Sequence, residues 1–523
     1  MSKISSEELA KHTSEKDCWL AIHGKVYDMT TFLEEHPGGS KILLKYAGKD
    51  ATKPFDQIHS TSIIDFFEDD DNTMGTFDAP PPSTKSASQD DEDDEDNEGD
   101  GDEEGDDEDE EDDDEDADGK EKSSDSSNTD KNVVIMRNNE LKPTLDQIFS
   151  LNDFEYVARY SMPVPAWAYY SSGGDDEITY RENHLAYQRI FFKPRILINV
   201  LDINLSTTLL GSKTSAPFYI SATALAKLGH PDGEKCLTRA CGKENIIQMV
   251  STMSSYSFED IMNTSLPDQD LWFQLYVNSN RKICEKIIKK VEKLGYKSIF
   301  VTVDNAHPGN REKDKRNKSF VISNLSLQST SQSSNTMIDP RLCWDDIKWI
   351  QSITKLPIVI KGVGTVEDAV KAIDYNVQGI VLSNHGGREL EFARPPIEVL
   401  AELNPILKQK NLKGKFDVYI DGGVRRGTDI IKALCLGAKA VGIGRSFLYA
   451  LSTYGDDGVE KAIKILKDEL LMNMRLLGVT SLDQLNDRYI DIKGLESRSF
   501  VGFDNFIERI YEPMALPKYK SKL

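Results

Sequence analysis

The chain has 523 residues, with 63 Lys and Arg against 88 Asp and Glu, for a formal charge of −25. Twenty-four of those acids fall within residues 90–118, which hold no Lys or Arg, so the rest of the chain is nearly neutral, with 64 acids against 63 bases. The charge is thus one local tract and the folded parts are ordinary; no nucleic acid is expected as a partner, the length exceeds what one core organises, and no apolar run reaches the 18 residues of a membrane-spanning helix.

Three segments follow in chain order: a compact part over residues 1–77, an acidic linker over 78–135 and a large domain over 136–523. In the first, Phe32-Leu33-Glu34-Glu35-His36-Pro37-Gly38-Gly39 is followed 23 residues after His36 by His59. Two neutral imidazoles can fill both axial positions of a haem iron. Together with Cys18-Trp19 and Val26-Tyr27-Asp28, the pattern resembles the cytochrome b5 domain over about 75 residues. The resemblance implies an α+β fold and haem b ligated by His36 and His59, with the iron carrying electrons rather than binding dioxygen. His12 and His23 read as ordinary surface residues.

The linker opens with Ala79-Pro80-Pro81-Pro82 and passes into the acidic tract. It cannot bury enough apolar surface to offset chain entropy and is expected to be a disordered, solvated tether, spanning roughly 40 Å as a coil. The Ser-rich stretch 323–336 is expected to be a mobile loop or insertion.

From Pro217 onward eight short β-branched runs alternate with helical patterns. The runs are 217–223, 246–252, 271–277, 298–304, 357–363, 379–385, 417–423 and 440–445; the helices include Arg281–Leu294, Thr365–Tyr375, Ile397–Lys408 and Thr428–Leu436. Eight β-then-α units predict a parallel (β/α)8 TIM barrel, with a doubly wound open sheet as the weaker alternative. Nearly every run ends on a polar or reactive residue, and in a barrel those ends meet on one face.

Ser383-Asn384-His385-Gly386-Gly387-Arg388 sets a base beside a guanidinium, which suits proton abstraction next to a carboxylate that Arg grips. Asp421-Gly422-Gly423-Val424-Arg425 and Gly442-Ile443-Gly444-Arg445 follow strands seven and eight, where barrels commonly hold a cofactor phosphate. No Walker loop or dinucleotide fingerprint occurs.

At these residues, and at Trp167–Gly173, Gln274–Val277, Val301–Asp304 and Ile360–Val363, the chain resembles the FMN-dependent 2-hydroxy acid oxidase and dehydrogenase family. The resemblance implies FMN, and His385 as the base with Asp304 stabilising its cation. It implies Arg388 and Tyr169 on the substrate carboxylate, Tyr276 on the substrate hydroxyl and Arg311 as a second cation. Lys361 is implied beside the reduced flavin. Ser251, Gln274 and Thr302 are implied as hydrogen-bonding the flavin, with Ser221, Ala222, Thr223, Ser383, Asp421, Gly422 and Gly423 also at the cofactor, and Arg425, Gly444 and Arg445 on its phosphate. Ala224 and Met253 are expected to line the substrate pocket and to favour L-lactate, or a somewhat longer L-2-hydroxy acid, over glycolate. Asp304-Asn305-Ala306-His307-Pro308 departs from the family pattern in the loop leading to Arg311, and Ser446 stands where relatives often have Pro.

The resemblance also implies a homotetramer through the barrels. A cytochrome c-type protein is one acceptor; an oxidase that passes electrons to dioxygen and releases peroxide is the alternative reading, and a redox sensor with an inactive barrel is a third. Six scattered cysteines without C-x-x-C point to free thiols in a reducing compartment. The ending Ser521-Lys522-Leu523 reads as a peroxisomal address, against the cytosol or the mitochondrial intermembrane space.

Overall fold

A computed structural model describes residues 3–33, 36, 40–59, 64, 73–78, 138–316, 338–410 and 416–496. The acidic tract, the 323–336 stretch, Pro37-Gly38-Gly39 and the Ser521-Lys522-Leu523 ending lie outside the described residues.

The N-terminal part is built on a five-stranded sheet of β1 Lys3–Ser5, β2 Thr13–Ser14, β3 Asp17–Ile22, β4 Lys25–Asp28 and β5 Thr73–Asp78, in the spatial order β1-β5-β4-β3-β2. Alternation along β3 serves two small cores. Cys18, Leu20 and Ile22 join Tyr27, Met29, Phe32 and Leu33 on one face, while Ala21 joins Ile4, Leu9 and Val26 on the other. Helices Ser40–Tyr46 and Thr52–Ile58 cover the first face, and the chain turns out of the second at His59, whose N–H donates to the Phe55 carbonyl at 2.8 Å. The surface reading holds for His23, which is exposed, and is corrected for His12, which is half-buried. His12 stacks on Trp19 at 3.5 Å between ring centroids with Nδ1 2.7 Å from Asp17, and His23 Nε2 lies 2.9 Å from Asp56. Both histidines tie loops to neighbouring elements.

Eight parallel strands close into a barrel: β6 Phe218–Ile220, β7 Ile247–Ser251, β8 Leu271–Leu275, β9 Ile299–Thr302, β10 Ile358–Val363, β11 Gly379–Leu382, β12 Asp417–Asp421 and β13 Ala440–Ile443, with β13 pairing back to β6. Each of these short, almost wholly buried strands is followed by a helix. The caps the sequence supplies set where those helices begin: Ser257 accepts from Asp260 N, Thr365 from Asp368 N and Asn280 from Lys282 N. Helix Arg281–Leu294 falls on its predicted bounds and ends at Gly295, whose φ of +97° suits only glycine. The last helix, Arg445–Leu477, kinks at Tyr454 and Gly455.

Side chains from all eight strands fill the barrel. Tyr219, Trp272, Phe300 and Tyr419 form an aromatic core with ring centroids 4.9 to 6.4 Å apart. The hairpin Thr207–Leu209 with Ser212–Thr214 sends Leu209 into the same cluster. With the interior filled, the one place left for chemistry is the face where the strands end. Among the described residues no helix is long and apolar enough to cross a membrane.

Candidate active site

Parallel registry sets the polar strand ends at one height. Ser251 pairs with Gln274 and Thr302 with Lys361. Ser251 Oγ donates to Gln274 Oε1 at 3.0 Å, and Gln274 Nε2 donates to Thr302 Oγ1 at 2.9 Å. Lys361 Nζ continues the girdle to Ser383 Oγ at 3.3 Å and Asp421 Oδ2 at 3.4 Å. Burial alone would push the Lys361 ammonium down, but Asp421 and Asp304 outweigh it and keep the group charged.

Above the girdle lies a cavity of about 970 Å³. It is lined by Tyr169, Ser221, Ala222, Thr223, Ala224, Ser251, Met253, Gln274, Tyr276, Thr302, Arg311, Lys361, His385, Arg388, Asp421, Gly422, Gly423, Arg425, Gly444 and Arg445. Asp304 and Ser383 stand just behind it, each holding His385: His385 Nδ1 is 2.9 Å from Asp304 Oδ1, and the His385 N–H donates to Ser383 Oγ at 3.0 Å.

His385 reaches the cavity through a turn that few side chains accept. Its φ is +55°, and Gly386 and Gly387 continue at +65° and +74°. A Cβ at position 387 would meet the Tyr180 backbone at 2.6 Å, so only glycine lets the turn lie flat there. A non-glycine residue held in this region is the strain that functional sites store. The turn leaves Nε2 facing the Tyr276 hydroxyl at 3.4 Å. Burial would raise the Asp304 carboxyl, but His385 and Lys361 together hold it below its usual range; burial, with Asp304 behind it, pushes the Tyr276 phenol well above its own.

Arg388 projects from the same turn. Its Nη1 donates to the carbonyls of Tyr169 at 2.8 Å and Ser172 at 3.2 Å, and the guanidinium lies 5.1 Å from the Tyr169 ring centroid. Burial, then the neighbouring Arg311, lowers the Arg388 guanidinium to about 10, so two cations crowd one small volume. An anion would relieve that repulsion. Leu225 N–H donates to the Met253 carbonyl at 3.1 Å, which sets Ala224 and Met253 side by side in the wall.

At the other end, Arg425 pairs with Glu155 at 2.7 Å and donates to the Tyr180 hydroxyl at 3.0 Å. Arg445 donates to the carbonyls of Tyr170, Ser172 and Gly386, which clamps the 170–172 segment against the His385 turn. Its guanidinium therefore joins backbone segments as well as facing the cavity. The donor set fits a flavin phosphate and ring: arginines and glycines after β12 and β13, a charged lysine at mid-cavity, and buried Ser221 Oγ and Asp421 Oδ1 with no hydrogen-bond partner.

In the N-terminal part His36 and His59 face one another with ring centroids 5.7 Å apart. Metal–imidazole bonds of about 2 Å place two rings that share one ion on the order of 6 Å apart. Burial, then Lys227, lowers the His59 imidazole to about 4, and its buried Nδ1 has no hydrogen-bond partner. A neutral imidazole in an apolar setting beside Phe55 fits an axial haem ligand.

Some residues at the site carry no sequence signal. Glu155 lies 270 positions before Arg425, and nothing local marks their meeting. Glu389 adjoins Arg388 and lines the cavity, but an acid next to an arginine reads as solvated surface until its burial is seen.

Residues 158–492 match the model of the FMN-dependent dehydrogenase family, and residues 5–78 match the cytochrome b5-like haem/steroid binding domain. The chain is 46% identical over 527 residues to an L-lactate dehydrogenase (cytochrome) of Wickerhamomyces anomalus, covering 99% of this chain and 85% of the relative. It is 40% identical over 359 residues to a peroxisomal (S)-2-hydroxyacid oxidase of Arabidopsis thaliana, which covers 66% of this chain and 97% of the relative. A solved structure of a flavocytochrome b2 mutant superposes with a TM-score of 0.67 at 50% identity, over 76% of this chain and 99% of that one.

Proposed function

The chain belongs to the FMN-dependent dehydrogenase family and carries a cytochrome b5-like domain ahead of its barrel, and from this we propose that it oxidises L-lactate, or a close L-2-hydroxy acid, to the 2-oxo acid, with electrons passing through haem b to an external acceptor such as a c-type cytochrome. FMN supplies the two-electron acceptor and haem b the one-electron relay. The observation that carries this reading is His385, held at Nδ1 by Asp304 and facing Tyr276 through Nε2, in one cavity with Arg388 and Lys361.

In this reading Arg388, with Arg311 and Tyr169 beside it, binds and orients the substrate carboxylate. Tyr276 donates to the substrate hydroxyl. His385 Nε2 accepts a proton from the substrate whether C2 or the hydroxyl loses it first, and Asp304 stabilises the imidazolium. Lys361 would hold a positive charge against the flavin ring. Ser221, Thr223, Ser251, Gln274, Thr302 and Asp421 would provide hydrogen-bonding groups for that ring, and Gly422, Gly423, Arg425, Gly444 and Arg445 would hold its phosphate. His36 and His59 would hold the haem iron. Ala224 and Met253 leave an apolar wall suited to a short side chain. Kinetics on a series from glycolate to longer L-2-hydroxy acids test this; glycolate as the best substrate contradicts it.

The oxidase reading, in which dioxygen takes the electrons, leaves the paired histidines without a task. A homotetramer through the barrels is part of the proposal. It is supported by an apolar strip that includes Ile196, Leu197 and Leu201, exposed at 81%, 99% and 74%, and light scattering on the purified protein tests it. Delivery to c-type cytochrome fits the mitochondrial intermembrane space, while Ser521-Lys522-Leu523 fits the peroxisome. Localisation with and without those three residues decides between them.

A further inference from the structure

Glu389 lies inside the site, 9% exposed, directly after Arg388. One carboxylate oxygen, Oε2, accepts the Gly309 N–H at 2.6 Å. The other, Oε1, is buried without a hydrogen-bond partner and lies 3.9 Å from Arg311 Nη1. Arg311 Nε is likewise buried without a hydrogen-bond partner. The pair is thus aligned but stops short of a charge-assisted hydrogen bond, which closes at about 2.7–2.9 Å.

The loop carrying Arg311 is otherwise firmly fixed. Gly309 lies flat on the Arg388–Glu389 backbone, where a Cβ would meet the Arg388 carbonyl oxygen at 2.1 Å. Asn310 Nδ2 donates to Asp175 at 2.7 Å, and Lys313 Nζ is 3.4 Å from Glu177. The backbone is therefore pinned while the Arg311 guanidinium keeps two long, unclosed contacts to buried acids, Nη1 to Glu389 Oε1 and Nε to Asp314 Oδ2, each at 3.9 Å.

We propose that Glu389 is a positioning residue: its Oε2 anchors the loop through Gly309, and its Oε1 is, beside Asp314, a resting counter-ion from which Arg311 turns to the carboxylate of the incoming substrate. This rests on the 2-hydroxy acid reading above. Two consequences follow. Glu389 stops Arg311 and Arg388 from repelling each other in the empty site. It also competes with the substrate anion, so affinity is traded for a preformed loop.

The test uses flavin- and haem-loaded enzyme, with oxalate as the probe of carboxylate binding through the flavin absorbance. Glu389→Gln keeps an acceptor for Gly309 and removes the charge. It should bind oxalate about three- to tenfold more tightly and lower KM for L-lactate to match, with kcat within about twofold. Glu389→Asp should restore wild-type affinity, and Glu389→Ala, which loses the anchor, should weaken binding. The gain from Glu389→Gln should vanish in an Arg311→Gln background. Wild-type affinity in Glu389→Gln, or a gain that persists undiminished without Arg311, overturns the proposal. Wild-type enzyme whose flavin no L-2-hydroxy acid bleaches overturns the functional reading instead.

Discussion

His385 and Asp304 stand 81 residues apart in the chain and meet at 2.9 Å, Nδ1 to Oδ1, with the opposite ring nitrogen left facing the cavity. The contact fixes the ring orientation and supplies an anion for the cation that forms. Asp304→Asn keeps the shape and removes both services. It should lower the rate of flavin bleaching by L-lactate by about 10²–10⁴ while flavin content and melting temperature change little. A loss below tenfold in single-turnover mixing would show that Asp304 only fills space.

The two folded parts touch through Lys227, whose Nζ donates to the Asp56 carbonyl at 3.2 Å and lies 4.3 Å from the Tyr256 ring centroid. Asp56 sits on the helix that ends at His59. Lys227→Glu places an acid against that carbonyl. Haem reduction should slow by about tenfold while flavin reduction stays within about twofold. Equal effects on both steps would remove Lys227 from the path between the domains.

Gly423 has φ +80°, and a Cβ there would lie 2.1 Å from the Asn183 carbonyl oxygen. Gly423→Ala should destabilise the barrel by about 2–4 kcal/mol and purify with substoichiometric flavin. Full flavin content with an unchanged melting temperature contradicts the placement of this turn.

Burial, and then Lys227, oppose the charged form of His59 and push its imidazole from the usual 6.5 down to about 4. Between those values the unfolded chain binds a proton that the folded chain does not, so stability falls as pH drops below 6.5 and is undiminished by this group above it. Resistance of the haem-free protein to urea should be steady above about pH 6.5 and decline as pH falls from there towards 4. Resistance that does not change between those values would show that His59 is not buried in this way.

The barrel was legible because eight short runs with polar ends and intervening helices have few other arrangements, and helix Arg281–Leu294 carries both of its caps in its sequence. The pairing of His36 and His59, the proposed haem ligands, was legible because both sit in a local pattern, and their rings do face one another. What the sequence hides is contact at a distance. Arg445 reads as a phosphate ligand alone, yet three backbone carbonyls from two segments also take three of its donors, a use that no spacing reveals. Glu155 and Glu389 are missed for the same reason: an acid declares itself only once burial and an arginine partner are visible. His12 is misread because its stacking partner Trp19 depends on the turn between β2 and β3.

The most direct test of the account is anaerobic rapid mixing of the flavin- and haem-loaded protein with L-lactate, following both absorbance bands. Flavin should bleach first and haem should then reduce, with His385→Gln silencing both while its haem band at rest is unchanged. Bleached flavin with haem left oxidised, and hydrogen peroxide released on admitting air, would contradict it.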